Sequence, residues 1–152
     1  MNRRRLIAAT GAMLASARIA GVAAAGEMYR IGLLGVPSAA QYATRAAAFR
    51  AGLRDFGYIE GKNLVIESRW ADGDESRLPQ LAAELVRLKV DVIVTHSTAG
   101  GLAAKNATAT IPIVMAVTGD AVAAGLAASL SHPGGNVTGS NYSDSGTQRQ
   151  AT

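Results

Sequence analysis

The chain has 152 residues, 15 Lys and Arg against 11 Asp and Glu, and no cysteine, which excludes disulfides, thiol catalysis and cysteine-ligated metals. Its basic excess has one source: four of the bases, Arg3, Arg4, Arg5 and Arg18, and none of the acids fall in the first 25 residues, leaving 11 of each beyond them. A surplus confined to one end is poor support for nucleic-acid binding, and no nucleic-acid partner is expected.

The first 25 residues read as an export signal. Arg3–Arg5 form a positive start, Leu6 to Ala17 an apolar Ala-rich stretch, and Ala23-Ala24-Ala25 a small-residue cleavage site before Gly26-Glu27. A membrane anchor is the competing reading. Arg18 opposes it, because a charge near the centre of a span costs about 2.5–3.5 kcal/mol on insertion scales. The arginines followed by Leu6-Ile7 loosely resemble a twin-arginine signal. Export without cysteine points to the bacterial periplasm, with cleavage near Ala25.

Beyond the signal, apolar runs alternate with helical stripes. Tyr29–Leu34 is the first strand, ending in the loop Gly35-Val36-Pro37-Ser38. Tyr42 to Phe56 is a helix whose buried stripe is Tyr42, Ala46, Phe49, Leu53 and Phe56. Gly57 stands where a left-handed C′ residue belongs, with Tyr58 behind it to pack on the last turn. After a turn at Glu60–Asn63, Leu64–Trp70 alternates in the manner of an edge strand. Ser76 is the expected N-cap of the second helix, with Pro79 harmless in its first turn; Leu78, Leu81, Ala82, Leu85 and Leu88 face the sheet.

Val92–Thr95 and Ile113–Val117 are continuously apolar, as strands covered on both faces are. Pro112 opens the second of these. A helix capped by Ser97 joins them and is weakened by Gly100-Gly101, at up to about 1 kcal/mol per Gly relative to Ala. Ala123–Leu130 is a short helix, Pro133–Asn136 a turn, and Val137-Thr138-Gly139 a fifth strand. The expected fold is α/β: a doubly wound, mostly parallel five-stranded sheet of flavodoxin-like type in the order 2-1-3-4-5. The expected domains are the signal at residues 1–25, one lobe at 26–139, and a disordered or aberrant tail at 140–152, where Ser, Thr and Gln replace any apolar period.

Several segments, GYIEGKNL, AAELVRLKVDVIV, TIPIVM and PGGNVTG, follow one another in order and spacing. Together with the export signal and YRIGLLG, they resemble the solute-binding components of ABC transporters related to tryptophan- and tyrosine-uptake binding proteins. The resemblance covers nearly everything from Tyr29 to Gly139. It implies a lobe of the type I periplasmic binding protein class, two such lobes in a family member, and only the N-terminal one here. It also implies two partners, a small organic solute that is possibly an amino acid and an inner-membrane permease.

Ligands of such sheets bind beyond the carboxyl ends of the strands. Ser97 and Thr98 stand where the third strand meets a helix N-terminus, suited to a carboxylate; Ser97 serves equally as a plain N-cap. Thr118, Gly119 and Asp120 end the fourth strand on the same rim, where Asp120 either receives an ammonium group or caps the next helix. Pro37 and Ser38 line the cleft wall. His96, at the end of the third strand, is the residue an enzyme would use, but a lone histidine there is commonly structural. Trp70 either stacks on an aromatic ligand or simply packs. No metal-ligand cluster, G-x-S-x-G elbow or G-x-G-x-x-G fingerprint is present, so neither metal nor cofactor is expected. The function expected is solute capture for an ABC importer without catalysis. The alternatives are an exported α/β enzyme using His96 or Asp120 as a base, and a structural fragment.

Overall fold

A computed structural model describes residues 26–118 and 135–141. Five parallel strands form one sheet: β1 (Tyr29–Gly35), β2 (Leu64–Trp70), β3 (Val92–Thr95), β4 (Ile113–Thr118) and β5 (Val137–Asn141), in the order β2-β1-β3-β4-β5. Three helices are described: α1 (Ala39–Asp55), α2 (Leu78–Arg87) and α3 (Thr98–Ala107). The expected fold and strand order hold, and β2 is an edge strand as its alternation predicts. The expected export signal and the Ala123–Leu130 helix lie outside the described residues.

Side-chain alternation along the central strands divides the core between two faces. Ile31, Leu33 and Val94 pack on one face with Tyr42 and Ala46 of α1 and Leu64 of β2. Leu34, Ile93, Ile113 and Met115 point the other way, onto Leu78, Leu81, Ala82 and Leu85 of α2 and Ala103 and Ala104 of α3. Residues one apart on a strand serve different helices, which is why Ile31–Leu34, Val92–Val94 and Ile113–Val117 run apolar without alternation.

Several local expectations are corrected. Helix α1 starts three residues before Tyr42, because Ser38 forms a capping box: its hydroxyl accepts from Gln41 N–H, and the Gln41 side chain accepts from Ser38 N–H. Phe56, expected in the buried stripe, is 83% exposed. The helix ends at Asp55, and Phe56 is the C-cap from which the chain turns away. Gly57 takes φ +87°, and the N–H groups of Gly57 and Tyr58 donate back to the carbonyls of Arg54 and Leu53, a Schellman ending. Ser76 caps nothing. Asp74 accepts from both its N–H and its hydroxyl, starting a 3₁₀ turn over Glu75–Arg77, so α2 begins only at Leu78, with Pro79 in its first turn. Pro112 lies just before β4, its carbonyl accepting from Ile93 N–H.

Strand β5 continues through Ser140 and Asn141, two residues past the expected edge of the lobe. Pairing with β4, with Thr118 opposite Asn141, is a backbone property and does not need an apolar side-chain pattern. The Gly100-Gly101 pair also reads differently in place. Both glycines are buried, and a Cβ at Gly100 would sit 2.2 Å from Thr95 Oγ1. The helix-weakening Gly100 is the residue that lets the first turn of α3 lie against Thr95 of β3.

Candidate functional site

The carboxyl ends of β1, β2 and β3 meet at one rim, and an aromatic cluster stands on it. Tyr42, from the first turn of α1, stacks on His96 with ring centroids 4.4 Å apart and planes 22° apart. Its other neighbour is Trp70, the last residue of β2, at 5.0 Å. Tyr42 is 8% exposed, whereas Trp70 and His96 are half-buried and present surface at the rim. The cluster closes over the end of β1 because Gly35 has no side chain. A Cβ there would lie 2.3 Å from the Trp70 ring and 3.1 Å from His96 Cε1.

Among the described residues, the buried side-chain polar atoms without a hydrogen-bond partner are Thr95 Oγ1 and His96 Nδ1, on consecutive residues at the end of β3. Leaving a buried polar atom unpaired costs about 1–3 kcal/mol, so such atoms call for an explanation. Burial, and then the nearby charge of Arg45, push the His96 imidazole below its ordinary 6.5, which favours the neutral ring with one donor and one acceptor nitrogen.

Helix N-termini and one arginine bring positive charge to the ends of β1 and β3. Helices α1 and α3 begin there, following the adjacent strands β1 and β3, and both present first-turn N–H groups. Ser97 is the N-cap of α3: its hydroxyl accepts from Gly100 N–H at 3.0 Å. Thr98 is the first residue of that helix and is half-buried. Arg45, three residues along α1 from Tyr42, lies with its guanidinium carbon 6.0 Å from the Tyr42 ring centroid.

Pro37 is half-buried in the loop after β1 and Ser38 caps α1, so the Ser38 hydroxyl, expected to line the cleft wall, is occupied within the capping box. Thr118 is the last residue of β4. Asp120 lies outside the described residues. The structure thus brings Pro37, Ser38, His96, Ser97 and Thr98 to the ends of two neighbouring strands. The sequence reading missed Tyr42 and Arg45: the first reads as core stripe, the second as solvent face. Their spacing of three residues on the first turns of a helix that starts at the rim is the signal that links them. Among the described residues, no group of three or more His, Asp or Glu could hold a metal ion.

The family model for ABC transporter substrate binding proteins matches residues 36–150. The chain belongs to this family. A tyrosine-binding protein of Clostridioides difficile (strain R20291) is 42% identical over 93 residues, 61% of this chain and 27% of that protein. Two solved structures superpose with a TM-score of 0.69. One is a conserved domain protein from Vibrio cholerae O1 biovar El Tor, 33% identical, covering 74% of this chain and 38% of its own. The other is an ABC domain in complex with L-Trp from Streptococcus pneumonia, 29% identical, covering 76% and 39%. This substrate-binding family member therefore spans well under half the length of these relatives. Among its described residues, no helix is long and apolar enough to cross a membrane.

Proposed function

We propose that this lobe captures an aromatic L-amino acid for an ABC importer, holding it at the carboxyl ends of β1–β3 without catalysing a reaction. The observation that carries this reading is the Tyr42–Trp70–His96 cluster beside the N-termini of α1 and α3. Flat ligand rings pack well on such faces, at about 0.5–1.5 kcal/mol beyond area burial. The ligand carboxylate lies at the N-terminus of α3, against Ser97, Thr98 and first-turn N–H groups, with Arg45 adding charge. The half-buried His96 ring adds a further flat surface beside Trp70. Pro37 and Ser38 border the site, and Thr118 and Asp120, following the neighbouring β4, supply the side that receives the ammonium group. The named ligands of two relatives, tyrosine and L-Trp, agree with an aromatic solute. In this reading residues 1–25 direct export, cleavage follows Ala25, and the protein serves an inner-membrane permease from the periplasm.

Thermal denaturation against a panel of amino acids tests the proposal, since a ligand that binds only the folded state stabilises it by mass action. L-Tyrosine and L-tryptophan are expected to raise the melting temperature by a few degrees, and Trp70→Ala to abolish that shift. No shift with either amino acid, or an equal shift with L-aspartate, would overturn it.

A further inference from the structure

A second concavity lies at the far end of the lobe, at the amino end of β2. It is a cavity of about 240 Å³ between the last turns of α1 and the first residues of β2. Its apolar lining comes from Ile59, Leu64 and Ile66, with the Tyr58 ring beside them. Two arginines one helical turn apart, Arg50 and Arg54, border it. They are not equivalent. Arg50 Nε donates to Glu60 Oε2 at 2.7 Å, an ion pair at the cavity edge. The guanidinium of Arg54 has no hydrogen-bonding or ion-pair partner among the described residues.

The loop that closes this cavity is held from within. Asn63 Nδ2 donates to the Gly57 carbonyl, and Asn63 Oδ1 accepts from Ile59 N–H at 2.7 Å. The N–H groups of Lys62 and Asn63 both donate to the Ile59 carbonyl, and that of Gly61 to the Leu64 carbonyl. Tyr58 is braced edge-on against Tyr29 at 5.5 Å. A cavity with a fixed roof asks for little ordering when a ligand arrives.

We propose that this cavity is a second binding site, separate from the rim, for a small monocarboxylate with an aromatic or branched apolar body. The body fills the space over Ile59, Leu64 and Ile66, and the carboxylate pairs with Arg54, whose planar guanidinium matches it in two-point geometry. The volume is below the ~300–1,000 Å³ of drug-sized pockets, which restricts the ligand to a single-ring or short branched acid. The charged border of the cavity is two arginines against one carboxylate, Glu60, and this net positive charge favours an anion over a ligand that also carries an ammonium group. The site therefore takes simple acids in preference to amino acids, the opposite of the rim.

Amide chemical shifts of the ¹⁵N-labelled 152-residue chain test this with phenylacetate as the probe. Saturable shifts are expected at Tyr58, Ile59 and Leu64, with a dissociation constant of about 1 mM and no shift at Thr98 or Ala99. L-Phenylalanine, with the same ring and an added ammonium, should leave these three amides unmoved. Arg54→Gln, at an exposed position, should weaken phenylacetate at least about tenfold, the fold of the variant being read from its own spectrum. Absence of saturable shifts, shifts confined to the rim, or unchanged affinity in Arg54→Gln would each overturn the proposal.

Discussion

His96 is the residue where the rim's chemistry is most exposed to experiment. Burial and the Arg45 charge lower its pKa in the folded chain below 6.5, so the unfolded chain binds its proton at a higher pH than the folded one does. Between the two pKa values the unfolded state holds more protons, and stability falls as pH drops. The stability is fully present above about pH 6.5 and is lost as pH falls through the folded-state value. Urea midpoints across this range are expected to decline toward acid, and His96→Gln is expected to flatten the decline. A slope unchanged by that substitution would show that His96 is not held neutral by its surroundings. Asp74, whose carboxyl the Ser76 hydroxyl and N–H hold below the usual 3.8, acts only at lower pH, so the two effects separate.

At the scale of elements, the ends of helices decide where side chains arrive. The Schellman ending of α1 depends on Gly57 at φ +87°, with open space around the missing Cβ. Gly57→Ala should therefore cost only the backbone penalty of a left-handed residue, about 1–2 kcal/mol, measured by chemical denaturation. A loss below about 0.3 kcal/mol would mean that the ending does not hold the loop. Strand β2 was legible from its alternation, and β3 and the Ser97 cap from an apolar run ending in small polar residues. The start of α1 was less so, because its capping box uses Gln41, which lies before the apolar stripe begins. Phe56 fits the helical period and is nevertheless exposed, since periodicity does not say where a helix stops. The Tyr42–Trp70–His96 cluster was not legible as a unit. Its three members lie on three elements, and only the strand order β2-β1-β3 and a side-chain-free Gly35 bring them together. Trp70, read as stacking on a ligand or simply packing, does pack, on Tyr42 at 5.0 Å, and its half-buried ring presents surface at the rim.

At the scale of the molecule, the described residues form one five-stranded sheet, and the proposed site lies on its open rim. In two-lobed binders closure surrounds the solute and excludes water. On an open rim, polar contacts at Ser97 and Thr98 compete with water and contribute less than the ~0.5–1.5 kcal/mol typical of a buried hydrogen bond. Each ~1.4 kcal/mol of contact energy forfeited to water is a tenfold loss of affinity. The most direct measurement is calorimetric titration of L-tryptophan into the 152-residue chain and into its Trp70→Ala variant, with L-aspartate as the control solute. Binding of L-tryptophan in the millimolar range is expected, with neither L-aspartate binding nor binding by the variant. Micromolar affinity would show that an open rim suffices, and equal binding of L-tryptophan and L-aspartate would contradict an aromatic site on this rim.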